Sequence, residues 1–337
     1  MHDPTTLQTI WFALICILWL GYFVLEGFDF GVGMLVRFLS RSDNETRAMI
    51  HTIGPIWDGN EVWLLVAGGA TFAAFPEWYA TLFSGFYVAL FVILAALILR
   101  GVAFEFWGKD DRPGWRRFWV WAMLVGSALP ALLWGVAWAN IVRGVPLDAS
   151  GAFDGTLFDL LNPYGLLGGV ASLTLFLAHG AWFLSLRLHG EIETRARTAA
   201  SVLAPIAAAA VAAFCAWTIV RSGAEIVPTV LCVVAVGCAL VAMRMTPGRA
   251  FALSAVTILA LFLALFAELF PAAIVSSGPG PDLTLYNAAS TSYTLTVMTV
   301  VAVVFVPLVL LYQAWTYWVF RTRLGASDFG PFEKLRS

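Results

Sequence analysis

Thr9–Phe38 reads TIWFALICILWLGYFVLEGFDFGVGMLVRF. Crossing ~30 Å of hydrocarbon takes ~20 apolar residues in a helix. This run exceeds that length, so its helix must tilt or project from the bilayer. It is also too long for a secretory leader, and MHDP in front of it carries no Lys or Arg, so a retained membrane helix is expected. Two carboxylates, Glu26 and Asp29, lie within the run. Acids in hydrocarbon are costly and are therefore paired, turned toward a polar lumen, or functional.

The same pattern recurs along all 337 residues, which are 61% hydrophobic and only 12% charged. Mean hydropathy is +0.85. Nine spans are expected: Thr9–Phe38, Gly54–Phe75, Trp78–Arg100, Phe118–Ile141, Pro163–Arg187, Ala199–Val220, Ile226–Met243, Phe251–Ala273 and Thr291–Phe320. The runs are continuous rather than alternating, which favours helices over a barrel. The expectation is an all-α polytopic membrane protein, nine transmembrane helices in helical bundles. Residues 1–337 form a single integral membrane domain, with 324–337 a short cytoplasmic tail. Basic residues are sparse and sit mostly at helix ends, so nucleic-acid binding has no support.

With the N-terminus outside, nearly every Lys and Arg falls on the inner side. Of the 19, only Arg143 and Arg221 fall outside. The positive-inside rule therefore orients the chain with its C-terminus in the cytoplasm.

The candidate chemistry lies on the first two spans. Glu26 and Asp29 are three apart and share a helix face. At ~1.5 Å per residue they sit about 26 and 30 Å in from the outer end, in the cytoplasmic half. The second span opens GPIWDGNEVW, with Asp58 and Glu61 again three apart, Asn60 between them, and Trp57 and Trp63 as amphipathic rings. Desolvated carboxylates close in depth can pass protons. The alternative is that the same residues pin helices together; proton or ligand handling is the favoured reading. Arg100, at the expected end of the third span, is the nearest counter-charge for Asp58 or Glu61; Glu105 follows it.

Cys16, Cys215, Cys232 and Cys238 all lie in apolar runs without a CxxC pair, so neither a disulfide framework nor a metal site is indicated. His2 is terminal, His51 and His189 are in loops, and His179 is the one intramembrane histidine. A single candidate does not make a haem site. A packed, hydrogen-bonded His179 is expected.

LEGFDFG at Leu25–Gly31 and GPIWDGNEVW at Gly54–Trp63 resemble the smaller core subunit, subunit II, of cytochrome bd-type quinol oxidase. So do FPEWYA at Phe75–Ala80, RGVAFEF at Arg100–Phe106, NPYGLLGG at Asn162–Gly169 and YQAWTYWVFR at Tyr312–Arg321. The resemblance runs from the first helix to the last. It implies nine helices and a partner, subunit I, that carries haems b558, b595 and d and the quinol-oxidising loop, while subunit II ligates none. It implies quinol oxidation coupled to four-electron reduction of O2 to water with cytoplasmic protons, an electrogenic quinol:oxygen oxidoreductase of the translocase class that does not pump. The quinone would be menaquinone or ubiquinone, and small accessory membrane subunits are implied as further partners. Position by position, Asp58 matches an acid of a hydrophilic proton route. Trp63 matches a tryptophan near an apolar route or a structural quinone. Glu26 and Asp29 match first-helix acids, and Arg100 and Glu105 match the RGxxFEF stretch. The proton pathway is thus expected to comprise Asp58, Glu61, Asp29 and Glu26, supported by Arg100, Glu105 and Asn60, with Trp57 and Trp63 at the apolar route. One departure is visible: a basic residue is expected after FEF, where this chain has Trp107, with Lys109 two positions on. A purely structural assembly subunit and a cation-coupled transporter are the alternatives.

Overall fold

The computed structural model describes residues 4–149 and 151–330. His2, Lys334 and Arg336, and the expected tail from residue 331 on, lie outside them. Among the described residues the helices are α1 (Thr6–Leu39), α2 (Asp43–Ile53), α3 (Trp57–Ala74), α4 (Pro76–Gly85), α5 (Tyr87–Phe106), α6 (Pro113–Arg143), α7 (Leu157–Leu160), α8 (Pro163–Arg187), α9 (Glu191–Arg221), α10 (Ile226–Ala242), α11 (Pro247–Leu269) and α12 (Ser292–Val319). Two short antiparallel strands, β1 (Ala272–Ile274) and β2 (Leu283–Thr284), close one end.

Local signals start the main helices. Thr5 and Gln8 form a capping box at α1, Gln8 N–H donating to Thr5 Oγ1 and Thr5 N–H to Gln8 Oε1 at 2.8 Å. Asn162 caps α8 by accepting from Gly165 N–H at 2.9 Å, and Pro163 occupies the first turn, where its missing N–H costs nothing.

Among the described residues seven helices are long and apolar enough to cross a membrane: α1, α5, α6, α8, α9, α11 and α12. The α10 helix is apolar but has 17 residues. The α3 helix has 18 and opens with Asp58, Asn60 and Glu61, which dilute its hydropathy. The expected third span is corrected. It is two helices, α4 and α5, broken at Phe86 after Ser84 and Gly85, both poor helix formers. The α5 helix then runs on to Phe106, so Arg100 lies within it and is not a helix-end residue.

The long α1 packs against α3, α6, α8 and α11. The α8–α11 helices form a second set that joins the first along α1 and α6. Glycines permit a close seam between α1 and α8. A Cβ on Gly31 of α1 would stand 2.7 Å from Gly180 Cα of α8, so neither position accommodates a side chain. By contrast α12 fully buries only Leu295.

The basic connections gather at one end. There α2 is tied by Asp43 to Arg116 of α6 and by Glu45 to Arg195 of α9. The segment 321–330 straps the same end: Leu324 O accepts from His189 N–H at 2.9 Å, Asn44 Nδ2 donates to Phe329 O at 3.0 Å, and Arg323 meets Glu193 at 2.7 Å. Trp107, at the position where a basic residue is expected, is buried, and the Arg116 guanidinium lies 5.3 Å from the centre of its ring. Charge thus reaches that spot from α6 instead. At the opposite end Arg143 and Arg221 sit with β1, β2 and residues 144–149 and 151–156.

Candidate functional site

Three of the four candidate acids meet or approach one cluster near the basic end of α1. Glu26 and Arg100 are fully buried and ion-paired through Oε1 and Nη2. The same Nη2 lies 3.0 Å from Glu61 Oε2, whose side chain is 24% exposed. Arg100 also stacks over Phe30, its Cζ 4.8 Å from the ring centre. The guanidinium is therefore held by two carboxylates and an aromatic face, drawn from α1, α3 and α5. This differs from the expected partnership, because Arg100 does not reach Asp58. Asp58 is exposed on α3 and makes no ion pair with Arg100.

Asp29, one turn beyond Glu26, is fully buried and belongs to a second, adjoining set. Asn60 Nδ2 donates to Asp29 Oδ2 at 2.7 Å. Asn60 Oδ1 accepts from the Tyr317 hydroxyl at 2.7 Å and from Gln313 Nε2 at 3.3 Å. Trp63 Nε1 in turn donates to Gln313 Oε1 at 2.8 Å. One buried amide thereby joins α1, α3 and α12. Glu26 Oε2, Asp29 Oδ1 and Arg100 Nη1 have no protein hydrogen-bond partner. Buried atoms of this kind call for water.

Asp58 and Glu61 also line an open groove of about 340 Å3 between α3 and α5, with Trp57, Leu65, Leu97 and Gly101. The Trp57 ring lies against Gly101, where a Cβ would meet it at 3.0 Å. Glu61 is the residue common to groove and cluster. The two tryptophans separate: Trp57 borders the groove, while Trp63 turns inward to Gln313. Glu105 is exposed and stands apart from the cluster.

Gln313 and Tyr317 escaped the sequence reading. The signal was a polar pair four apart within an otherwise apolar span, in the YQAWTYWVFR stretch. Glu268 was also missed. It stands near the far end of α11, 3.8 Å from Arg221.

His179 donates through Nε2 to the Val24 carbonyl at 3.2 Å, which leaves Nδ1 to accept from Ser254 Oγ at 2.7 Å. Its ring stacks on Phe251 at 4.5 Å. With both nitrogens engaged it offers no axial position to a haem. Among the described residues no group of three or more His, Cys, Asp or Glu side chains could hold a metal ion.

Comparison with known proteins adds a family to this geometry. Residues 7–320 match the family model described as cytochrome bd terminal oxidase subunit II. The chain is 42% identical over 332 residues to the cytochrome bd ubiquinol oxidase subunit 2 of Bacillus subtilis, covering 96% of this chain and 98% of that one. It is 38% identical over 370 residues to the cytochrome bd-I ubiquinol oxidase subunit 2 of Escherichia coli K12, covering 97% and 98%. In fold it resembles a chain of the bd oxidase from Geobacillus thermodenitrificans, with a TM-score of 0.73 at 16% identity over 94% of this chain and 99% of that one.

Proposed function

Because this chain belongs to the cytochrome bd terminal oxidase subunit II family, we propose that it is the haem-free core subunit of a bacterial membrane quinol oxidase and supplies a proton route. Its partner is subunit I, which carries the haems, b558, b595 and d. Bound there, they supply the electron transfer from quinol, menaquinol or ubiquinol, and the four-electron reduction of O2 to water. Protons are taken from the cytoplasm, which makes turnover electrogenic without pumping. The chain crosses the bilayer nine times, α3 and α10 being the two shorter crossings, with the N-terminus outside and the basic end in the cytoplasm.

One observation carries the proton-route reading: Glu61 both lines an open groove and touches a buried Arg–Glu cluster. Asp58, exposed at the groove, takes the proton first. Glu61 lies one turn on along the same face of α3. Water anchored on the unpartnered atoms of Glu26, Asp29 and Arg100 extends the polar path inward. The groove opens on the outer surface of this chain, so the route continues in the partner. Trp57 at its border is the apolar contact for quinone or O2.

A second reading has its own observation. Arg100 bridging Glu26 and Glu61, with Asn60 joining three helices, is also what a scaffold requires. Under that reading the acids only hold helices. Family membership leaves the cation-coupled transporter without support.

Substitution in the two-subunit complex separates the readings. Asp58→Asn keeps the shape and removes the titratable proton, so the complex assembles with full haem and reduces O2 slowly, while Asp58→Glu retains more activity. A double Asp29→Asn, Asp58→Asn variant removes a parallel branch. Parental turnover in that fully haem-loaded double variant across pH 6 to 8 would overturn the proton route; joint loss of haem and activity would favour the scaffold.

A further inference from the structure

At the basic end a cavity of about 330 Å3 opens between the last turn of α1 and the first turns of α2 and α6. Arg37, Arg116, Arg117 and Trp107 line it, along with Asp43 and Asp111. The charges are not evenly matched. Arg116 meets both acids, Asp43 and Asp111, the latter at 2.5 Å. The cavity's two carboxylates therefore already share one cation. Arg37 and Arg117 are exposed, and among the described residues neither has an acid within ion-pair distance. They stand on one flank. The Arg37 guanidinium lies 5.3 Å from the ring centre of Trp121, which is one helical turn from Arg117 on α6.

Next to the charge lies an apolar skirt. Phe38, Phe118 and Trp121 are 67%, 57% and 47% exposed. They continue from the cavity rim onto α1 and α6, both long enough to cross the membrane. The amphipathic Trp121 ring settles at the headgroup level, and the two Phe rings offer apolar surface beside it. Two unpaired guanidiniums fit a phosphate better than two ammoniums would, since their planar forks match its oxygens. Basic pockets between membrane helices take anionic headgroups on this principle. A soluble anion would use the arginines and leave the skirt unexplained.

We propose that this cavity binds the phosphodiester headgroup of an anionic phospholipid through Arg37 and Arg117, its acyl chains lying over Phe118 and Trp121. The inference needs only residence in a membrane and is independent of the proton route.

The test uses the purified two-subunit complex, with phosphatidylglycerol and phosphatidylcholine of matched chains titrated and bound lipid counted by native mass spectrometry. The parent binds phosphatidylglycerol more tightly. An Arg37→Gln, Arg117→Gln double variant weakens it roughly thirtyfold, and an Arg37→Lys, Arg117→Lys variant, which keeps the charge but loses the planar fork, falls between that pair and the parent. Arg244→Gln with Arg249→Gln removes equal charge from the same end elsewhere and leaves binding unchanged. Parental affinity in the Gln pair, or an equal loss in the Arg244/Arg249 control, overturns the site. Displacement of lipid by inorganic phosphate at equal concentration overturns the lipid assignment. Should the Gln pair fail to assemble, the parent decides alone: phosphatidylglycerol affinity must fall steeply with salt, and salt-independent affinity overturns the proposal.

Discussion

Glu26 of α1 and Glu61 of α3 converge on one nitrogen, Nη2 of Arg100. Two carboxylates would repel at that distance without the guanidinium between them. The arrangement makes Arg100 the joint of α1, α3 and α5.

Removing that joint leaves the buried Glu26 carboxyl without its cation. Arg100→Met should destabilise the complex by about 3–5 kcal/mol, read as a large drop in thermal midpoint. Adding Glu26→Gln removes the stranded carboxyl and should restore part of the loss. A double variant no more stable than Arg100→Met would contradict the pairing.

The Gly31–Gly180 contact makes a steric prediction. Gly31→Ala forces α1 and α8 apart and should cost about 1–3 kcal/mol. Gly237→Ala on α10, where a Cβ meets nothing within 4 Å, should be neutral or stabilise by up to ~1 kcal/mol through helix preference. Equal thermal midpoints for the two variants would show that the seam is looser than described.

Orientation is checked by cysteine accessibility in whole cells. A membrane-impermeant maleimide should label Ala152→Cys and spare Ala326→Cys until the membrane is opened. Labelling of both from outside would break the nine-crossing topology, and labelling of Ala326→Cys alone would reverse it.

The strap at 321–330 should respond to acid. The His51 ring stacks on Phe329 at 5.1 Å, and the Arg47 guanidinium lies 5.0 Å from the same ring's centre. Partial burial, then repulsion from Arg47, holds the His51 imidazole below its ordinary value. Its folded form thus binds protons less readily than the unfolded one. The resulting stability is present above about pH 6.5 and is lost as pH falls through the lower folded value. Limited proteolysis of the strap should accelerate below that pH more in the parent than in His51→Phe. Taking the difference between the two proteins cancels other groups, including the His189–Asp328 pair, whose Nε2–Oδ2 distance is 2.9 Å. An identical pH profile in both proteins would remove His51 from the strap.

Much of this molecule was legible in its residues. Apolar runs bounded the helices because hydrocarbon requires internally satisfied backbone. The two acids inside Thr9–Phe38 marked the cluster because charge there is costly. The placement of Lys and Arg separated the ends: Arg143 and Arg221 lie together, away from the other connections. What only tertiary structure decided is which residue meets which. Arg100 read as a partner for Asp58 or Glu61, yet the fold gives it Glu61 and Glu26 and leaves Asp58 exposed. Asn60 read as an added amide, yet it joins Asp29 to Tyr317 across three helices. The reason is physical. In a membrane helix both the lipid-facing and the buried sides are apolar, so sequence periodicity fixes neither the helix's rotation nor its depth against its neighbours. Those two degrees of freedom are set by close packing, as at Gly31 and Gly180, and they alone bring a carboxylate within reach of a guanidinium.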